Sequence, residues 1–352
     1  MGRGSLAAGI AIVAVAGSVP CGGAAAGDPE GTVGARGVGE ARQFDFWLGA
    51  WDVNLRMLQE DLTWEDRVAA RARIYSVLDG KAVLELWDSE PIKGFSLRYY
   101  DPAREAWVLW LNWPGQDRSG GSALEGRFRH GRGEFTRKFT STSGEEGIAR
   151  YTFSDIGPDR LRWDDAYSTD GGKTWSSNWI MEFRRSGPPA PLPLGEENLH
   201  TYHDGSRCTL DPFRRFDRLV GSWSGTVEER RPDRSPASRP ATLTAHRVLD
   251  GCAVLAFLTS GDGDEPYRDV RLLTWNTGAG RFEEDRLDNR EATGLRVLRG
   301  SGDGNVVRLE TEEGDRRTVW TLPEADRLTL EELSSADGET WGLRRRAELR
   351  RR

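Results

Sequence analysis

Phe44-Asp45-Phe46-Trp47-Leu48-Gly49-Ala50-Trp51 recurs as Phe216-Asp217-Arg218-Leu219-Val220-Gly221-Ser222-Trp223. Three further blocks recur in the same order. Val77-Leu78-Asp79-Gly80-Lys81-Ala82-Val83-Leu84 returns as Val248-Leu249-Asp250-Gly251-Cys252-Ala253-Val254-Leu255. Asp159-Arg160-Leu161 returns as Asp326-Arg327-Leu328. The stretch from Ser168 to Trp175 returns from Ser335 to Trp341. The offset shrinks slowly, which is the mark of one domain written twice and not of a 20–50-residue solenoid unit. Between the copies, Ser186-Gly187-Pro188-Pro189-Ala190-Pro191-Leu192-Pro193 forms a proline-rich spacer, semi-rigid because proline fixes φ and donates no ladder hydrogen bond. The expected organisation is a segment 1–26, a flexible stretch 27–40, a first domain 41–185, a linker 186–210 and a second domain 211–352.

Each copy reads as β. Short runs rich in aromatic and branched residues (Ala82 to Trp87, Phe95 to Tyr100, Trp107 to Trp113, Gly147 to Phe153, Arg160 to Ala166, Ser177 to Phe183) are parted by turn residues such as Leu78-Asp79-Gly80, Asp101-Pro102, His130-Gly131 and Asp170-Gly171-Gly172. About eight to ten strands in about 140 residues, with hairpin spacing and no helical periodicity, predict a meandering antiparallel sheet. Closure into a barrel would remove its edges and leave room for one small ligand. The fold class expected is all-β, two tandem lipocalin-like antiparallel barrels. Phe44 to Leu48 would form a helical turn plugging the floor, with Trp51 pointing inward after Gly49.

This opening resembles that of the calycins, the lipocalin-like superfamily, which begin with a short helix, Gly-x-Trp and a first strand. Phe44 to Val53, the Ser168-Thr169-Asp170-Gly171-Gly172-Lys173-Thr174-Trp175 hairpin and the ending Trp179 to Arg184 look like a group of exported bacterial calycin-type domains of unknown function. The resemblance covers nearly all of the first copy; the second keeps only the four blocks. It implies structural roles for Gly49, Trp51, Gly221 and Trp223, with Arg184 stacked on Trp51 and Arg350 on Trp223. Related heme-binding barrels hold iron through a late histidine. Neither Trp163 to Arg185 nor Leu328 to Arg350 contains one, so no heme and no other cofactor is expected.

Composition narrows the function classes. The 352 residues are 37% hydrophobic and 30% charged, with a net charge of -7 and both signs interleaved. No basic block points to nucleic acid. Arg3, the apolar run Leu6 to Val19 and Ala24-Ala25-Ala26 make the three parts of a secretory signal peptide, so a secreted or periplasmic protein is expected. Acylation at Cys21 is the alternative, although Pro20 fits a lipobox poorly. No later run is apolar for long enough to span a bilayer. Cleavage would leave Cys208 and Cys252, either bridged or as two thiols.

Candidate chemistry is thin. There is no Gly-x-Ser-x-Gly elbow, no His-Glu-x-x-His and no paired Cys-x-x-Cys, so no catalytic set and no metal are assigned. The 4 histidines divide into a turn residue (His130), the linker pair His200 and His203, and strand residue His246. Asp164-Asp165 and Glu283-Glu284-Asp285 read as solvated strand ends, since strand neighbours point to opposite faces. The first copy holds 10 of the 14 tryptophans. On consecutive strands it offers Glu85 and Trp87, Arg98 and Tyr100, Trp110 and Asn112, each pair spaced by two and therefore on one face. Glu85 opposite Arg98 would tolerate burial only if paired. In the second copy Glu85 becomes Ala256 and Arg98 becomes Leu273. The reading is a cavity in the first barrel for a small apolar, amphipathic or aromatic molecule, bound by Glu85, Trp87, Arg98, Tyr100, Trp110 and Asn112, with the second barrel in support. Two alternatives stand beside it. One is an isomerase or hydrolase using Glu85 as general base. The other is a protein or glycan interaction module presenting Trp107 and Trp113 on the barrel wall, on the face opposite Trp110.

Overall fold

The computed structural model describes residues 39–59, 61–89, 93–115, 121–141, 144–194, 208–230, 235–263, 265–290 and 294–352. The proposed signal segment, Cys21, His200 and His203 lie outside the described residues. Ten strands form the first sheet: β1 (Gly49–Leu58), β2 (Trp64–Val77), β3 (Ala82–Asp88), β4 (Lys93–Asp101), β5 (Ala106–Asn112), β6 (Ser122–Arg129), β7 (Arg132–Thr140), β8 (Glu146–Ser154), β9 (Arg160–Ser168) and β10 (Ser176–Gly187). The second sheet has ten more: β11 (Gly221–Arg230), β12 (Pro236–Val248), β13 (Ala253–Ser260), β14 (Tyr267–Asn276), β15 (Arg281–Asp288), β16 (Arg296–Asp303), β17 (Val306–Glu310), β18 (Arg316–Thr321), β19 (Arg327–Ser334) and β20 (Gly342–Arg351). Each strand pairs antiparallel with its sequence neighbours, and the first pairs with the last. The chain is thus two closed ten-stranded meander barrels in tandem. Among the described residues, no helix is long and apolar enough to cross a membrane.

A 3-10 turn, Asp45–Trp47, closes one end of the first barrel. Phe44, Trp47 and Trp51 are fully buried there against Trp107, Phe135 and Phe153. Gly49 follows with φ 120°, and a β-carbon at this position would lie 2.7 Å from both Arg185 Nη1 and the Gly187 carbonyl. That cradle explains the glycine. Arg185 donates to the carbonyls of Leu48 (2.6 Å), Phe46 (2.8 Å) and Pro158 (2.6 Å) while its guanidinium lies 4.1 Å over Trp51. The second barrel repeats the arrangement. Arg351 donates to Val220 and Arg218 and lies 4.3 Å over Trp223, beside Gly221 at φ 119°. The residues that stack are therefore Arg185 and Arg351, one position beyond the expected Arg184 and Arg350. Phe183 and Leu349 point inward, so strand alternation sends Arg184 and Arg350 outward and the next residue back over the indole.

Three apolar clusters hold the molecule. Two fill the barrels, and the third lies between them. Strands β3 and β5, which alternate weakly in sequence, are buried along their whole length. Val83 and Trp87 face the first barrel's interior, whereas Leu84 and Leu86 face the second barrel. Equivalent strands β13, β14 and β15 supply Leu255, Val270, Leu272 and Leu287 to the same seam. Two copies of one surface thus meet face to face, and each barrel's outer wall becomes core. A disulfide between Cys208 and Cys252, 44 residues apart, lies within this seam.

Candidate functional site

Strand alternation distributes the sequence-selected residues over two different places. Glu85, Trp87 and Arg98 lie inside the first barrel. Trp110 and Asn112 point the other way, into the seam, where Trp110 Nε1 (2.8 Å) and Asn112 Nδ2 (2.6 Å) both donate to Asp285 Oδ2. The six do not form one cavity. The two-residue spacing was sound, but it specifies a shared face and not which face is internal. Trp107 and Trp113 take the inner face instead: Trp107 is fully buried and Trp113 packs half-buried on Trp87. They are therefore not wall residues. Tyr100 donates from its hydroxyl to Glu40 at the plugged end.

Glu85 sits deep in the barrel. Its Oε2 accepts from Ser96 Oγ at 2.7 Å and from Arg98 Nη2 at 3.2 Å. The Arg98 guanidinium lies 3.5 Å over Trp47. Burial raises the Glu85 carboxyl above its usual range, with Arg98 and Ser96 opposing, and brings Arg98 down to about 10. The pair is thus sealed beneath the Asp45–Trp47 turn.

The opposite end of the same barrel has another character. Trp113, Trp87, Trp179, Trp163 and Tyr151 follow one another with ring centroids 5.6, 6.1, 6.1 and 4.6 Å apart, each pair edge to face. Such offsets match the aromatic quadrupole. The strands place them by register: Trp179 pairs with Asp165, which pairs with Tyr151. Gly94 makes space for the first ring, since a β-carbon there would lie 2.3 Å from Trp113. The indole nitrogens of Trp87 and Trp179 are buried and donate to no protein acceptor. Asp165 lies among these rings. Burial lifts its carboxyl to about 7, with Arg137 opposing the rise. This end therefore presents flat apolar surface, two unused N–H donors and a carboxyl that changes protonation near neutrality.

The second barrel carries buried charge where the first carries rings. Arg271 donates to Asp269 (2.5 and 3.1 Å) and to Glu284 (3.0 Å), and also binds Glu332. Arg286 and Arg345 each reach Glu332 at 2.9 Å. Tyr267 donates to Asp269 at 2.7 Å, and Trp320 donates to Glu284 at 2.8 Å. The expectation of solvated Glu283-Glu284-Asp285 fails. All three are buried, Glu284 inside the barrel and Asp285 in the seam, because the second barrel has no free outer wall there. Sequence reasoning missed this network. The signal was present as charges at every second position, Asp269 and Arg271 parted by Val270, and Arg286 and Asp288 parted by Leu287. That pattern reads as charges outward when the partner barrel is not considered. Among the described residues, no group of three or more His, Cys, Asp or Glu is arranged to hold a metal ion.

No family model and no curated protein matches the sequence. Among solved structures, the chain is similar to a protein of unknown function from the DUF3598 family of Nostoc punctiforme. The alignment covers 88% of this chain and 97% of that chain at 12% identity, with a TM-score of 0.23, a likeness that carries no argument about activity.

Proposed function

We propose that the chain is an exported, calycin-like binding protein whose first barrel holds a small aromatic or amphipathic molecule at the end opposite the Asp45–Trp47 turn. The train of rings from Trp113 to Tyr151 carries this reading, because two of its indole N–H groups are buried without a protein partner. A buried donor left unpaired costs about 1–3 kcal/mol, a penalty that an acceptor on a bound molecule would relieve. Ring stacking supplies affinity, and Asp165 supplies a polar point that fixes orientation. Trp87 and Asp165 belong to this set; Glu85 and Arg98 lie below it as a support.

The test is titration with N-phenyl-1-naphthylamine, a neutral aromatic probe. Saturable binding that quenches tryptophan emission is expected. Trp87→Leu, which installs the residue of the equivalent position Leu258, should weaken it about tenfold or more. Unsaturable binding, or equal binding to the variant, would reject the site. A second reading, Glu85 as general base, draws on the upward shift of that carboxyl. Glu85→Gln separates the two, since it should spare probe binding while abolishing any turnover.

A further inference from the structure

The second barrel is plugged by a helical turn, Asp211–Arg214, that runs into a 3-10 turn, Arg215–Leu219. Beside this plug lies a cleft of about 280 Å³, with Asp211, Arg215, Trp275, Phe282, Ser301 and Gly302 in its lining. Strand register shows how it arises. Trp275 opposite Phe282, Phe282 opposite Gly300 and Gly302 opposite Val307 repeat the pairs Tyr100 with Trp107, Trp107 with Gly126 and Phe128 with Gly133. Gly302 therefore stands where the first barrel has Phe128, and Arg215 stands where it has Gln43. In the first barrel a ring takes this place: Phe128 lies 4.9 Å from Phe44 and 5.7 Å from Phe46. Glu40 accepts from the Tyr100 hydroxyl there, and its carbonyl accepts from Trp107 at 3.1 Å. The second barrel lacks the ring, and Pro212 in place of Glu40 brings no carboxylate.

The groups around the cleft are of three kinds. Arg215 lies on Gly302, where a β-carbon would come within 3.1 Å of its Nε. Its Nη2 donates to the Gly304 carbonyl and its guanidinium lies 5.7 Å from the Phe282 ring, so the side chain is held in place. Among the described residues it forms no ion pair, and its Nη1 donates to no protein acceptor. Asp211, one helical turn earlier, is exposed and likewise forms no ion pair among the described residues. The neighbouring Arg214 is bonded to Asp217 at 3.1 Å. Trp275, half-buried, supplies apolar wall, its ring 4.8 Å from that of Phe282.

We infer that this cleft binds a small α-amino acid with an apolar or aromatic side chain, its carboxylate on Arg215, its ammonium on Asp211 and its side chain against Trp275. Each charged contact is a charge-assisted hydrogen bond, stronger than a neutral one. A zwitterion leaves the charges of the site balanced, whereas a lone acid would also meet Asp211 and a lone amine would also meet Arg215. The volume lies at the lower edge of the range for ligand clefts, about 300–1,000 Å³, which suits one small molecule. The site is at the plugged end of the second barrel and does not rest on the aromatic end of the first.

Isothermal titration calorimetry of the full chain with L-phenylalanine, phenylacetate and 2-phenylethylamine tests this. One saturable L-phenylalanine site is expected, with each singly charged analogue weaker by about tenfold or more. Asp211→Asn should weaken L-phenylalanine about tenfold while leaving phenylacetate unchanged or tighter, a pattern that loss of folding would not produce. Arg215→Gln, which installs the residue of the first barrel, should weaken L-phenylalanine and phenylacetate alike. Trp87→Leu, in the first barrel, should leave L-phenylalanine binding as it is. No saturable binding, equal binding of phenylacetate, or full affinity in Asp211→Asn would overturn the proposal. So would loss of the L-phenylalanine site in Trp87→Leu, since the amino acid would then be seated in the first barrel.

Discussion

Asp165 and Glu332 stand at the same position of the two repeats, and their surroundings push them in opposite directions. Asp165 has apolar rings around it and one opposing arginine, so burial dominates and raises it to about 7. Glu332 is buried more fully still, but Arg286, Arg345 and Arg271 outweigh desolvation and hold it well below the usual carboxylate range. The stability consequences have opposite signs. The folded protein keeps a proton on Asp165 that the unfolded chain releases above about pH 4, so stability falls as pH rises from there to about 7. Glu332 stabilises the fold above its unfolded value and loses that contribution as pH falls. Asp165→Asn is therefore expected to raise stability at pH 8, by up to about 4 kcal/mol, and to change little at pH 4. Glu332→Gln should lower it at pH 8 by about 3–5 kcal/mol, because three arginines lose their shared partner. Urea unfolding of both variants at the two pH values checks this contrast; equal responses would mean that the rings and the arginines do not set the local field.

At the scale of the element, the first turn and the last strand of each barrel are locked together by one arginine. Arg185 joins three carbonyls and covers Trp51, whereas Arg184 is exposed. Arg185→Leu is expected to cost about 2–4 kcal/mol in chemical unfolding, and Arg184→Leu to stay within about 0.5 kcal/mol. The reverse order would place the clamp where the sequence resemblance alone puts it. The difference also shows what was legible in the sequence. Repeat blocks, turn residues and two-residue spacing specify meanders of about eight to ten strands and the Gly49-x-Trp51 opening, because these depend on contacts within a few residues or one strand. They do not reveal the inward face of a strand buried on both sides. Trp110, with Leu84 and Leu86, is as apolar a choice as Trp107, with Val83 and Trp87, until the partner barrel's position is known. For the same reason the charges of β14 and β15 read as surface. Of the aromatic end only Trp87 is in the set the sequence selects, as one member of a cavity with Glu85 and Arg98, whereas Trp163, Trp179, Tyr151 and Asp165 converge from strands distant in sequence.

At the scale of the whole molecule, the two barrels are joined by an apolar seam in which Asp285 is buried. Asp285 accepts from Trp110 and Asn112 across the seam, yet burial still raises it to about 7. At the surface, Arg268 bonds Asp79, and Lys81 donates to the Asn289 carbonyl at 3.0 Å, tying the 78–80 turn of the first repeat to β14 and the end of β15 in the second. Protonated, the Asp285 carboxyl lies in the seam without net charge. Ionised, it places a charge beside Leu272, Val297 and Trp110, with two side-chain donors to hold it. The folded chain retains this proton over the range in which the unfolded chain loses it. Stability should therefore be highest near pH 4, decline toward about 7 and level off above. Asp165 obeys the same law over the same range, so the measurement belongs in the Asp165→Asn background. There, the remaining loss of unfolding temperature between pH 5 and pH 8 is expected to come chiefly from Asp285, and adding Asp285→Asn should flatten it. Asn at this position can still accept from Trp110 and Asn112, so the double variant should keep the seam intact at pH 5. A pH slope left unchanged by the added Asp285→Asn would mean that the junction between the barrels does not carry this charge.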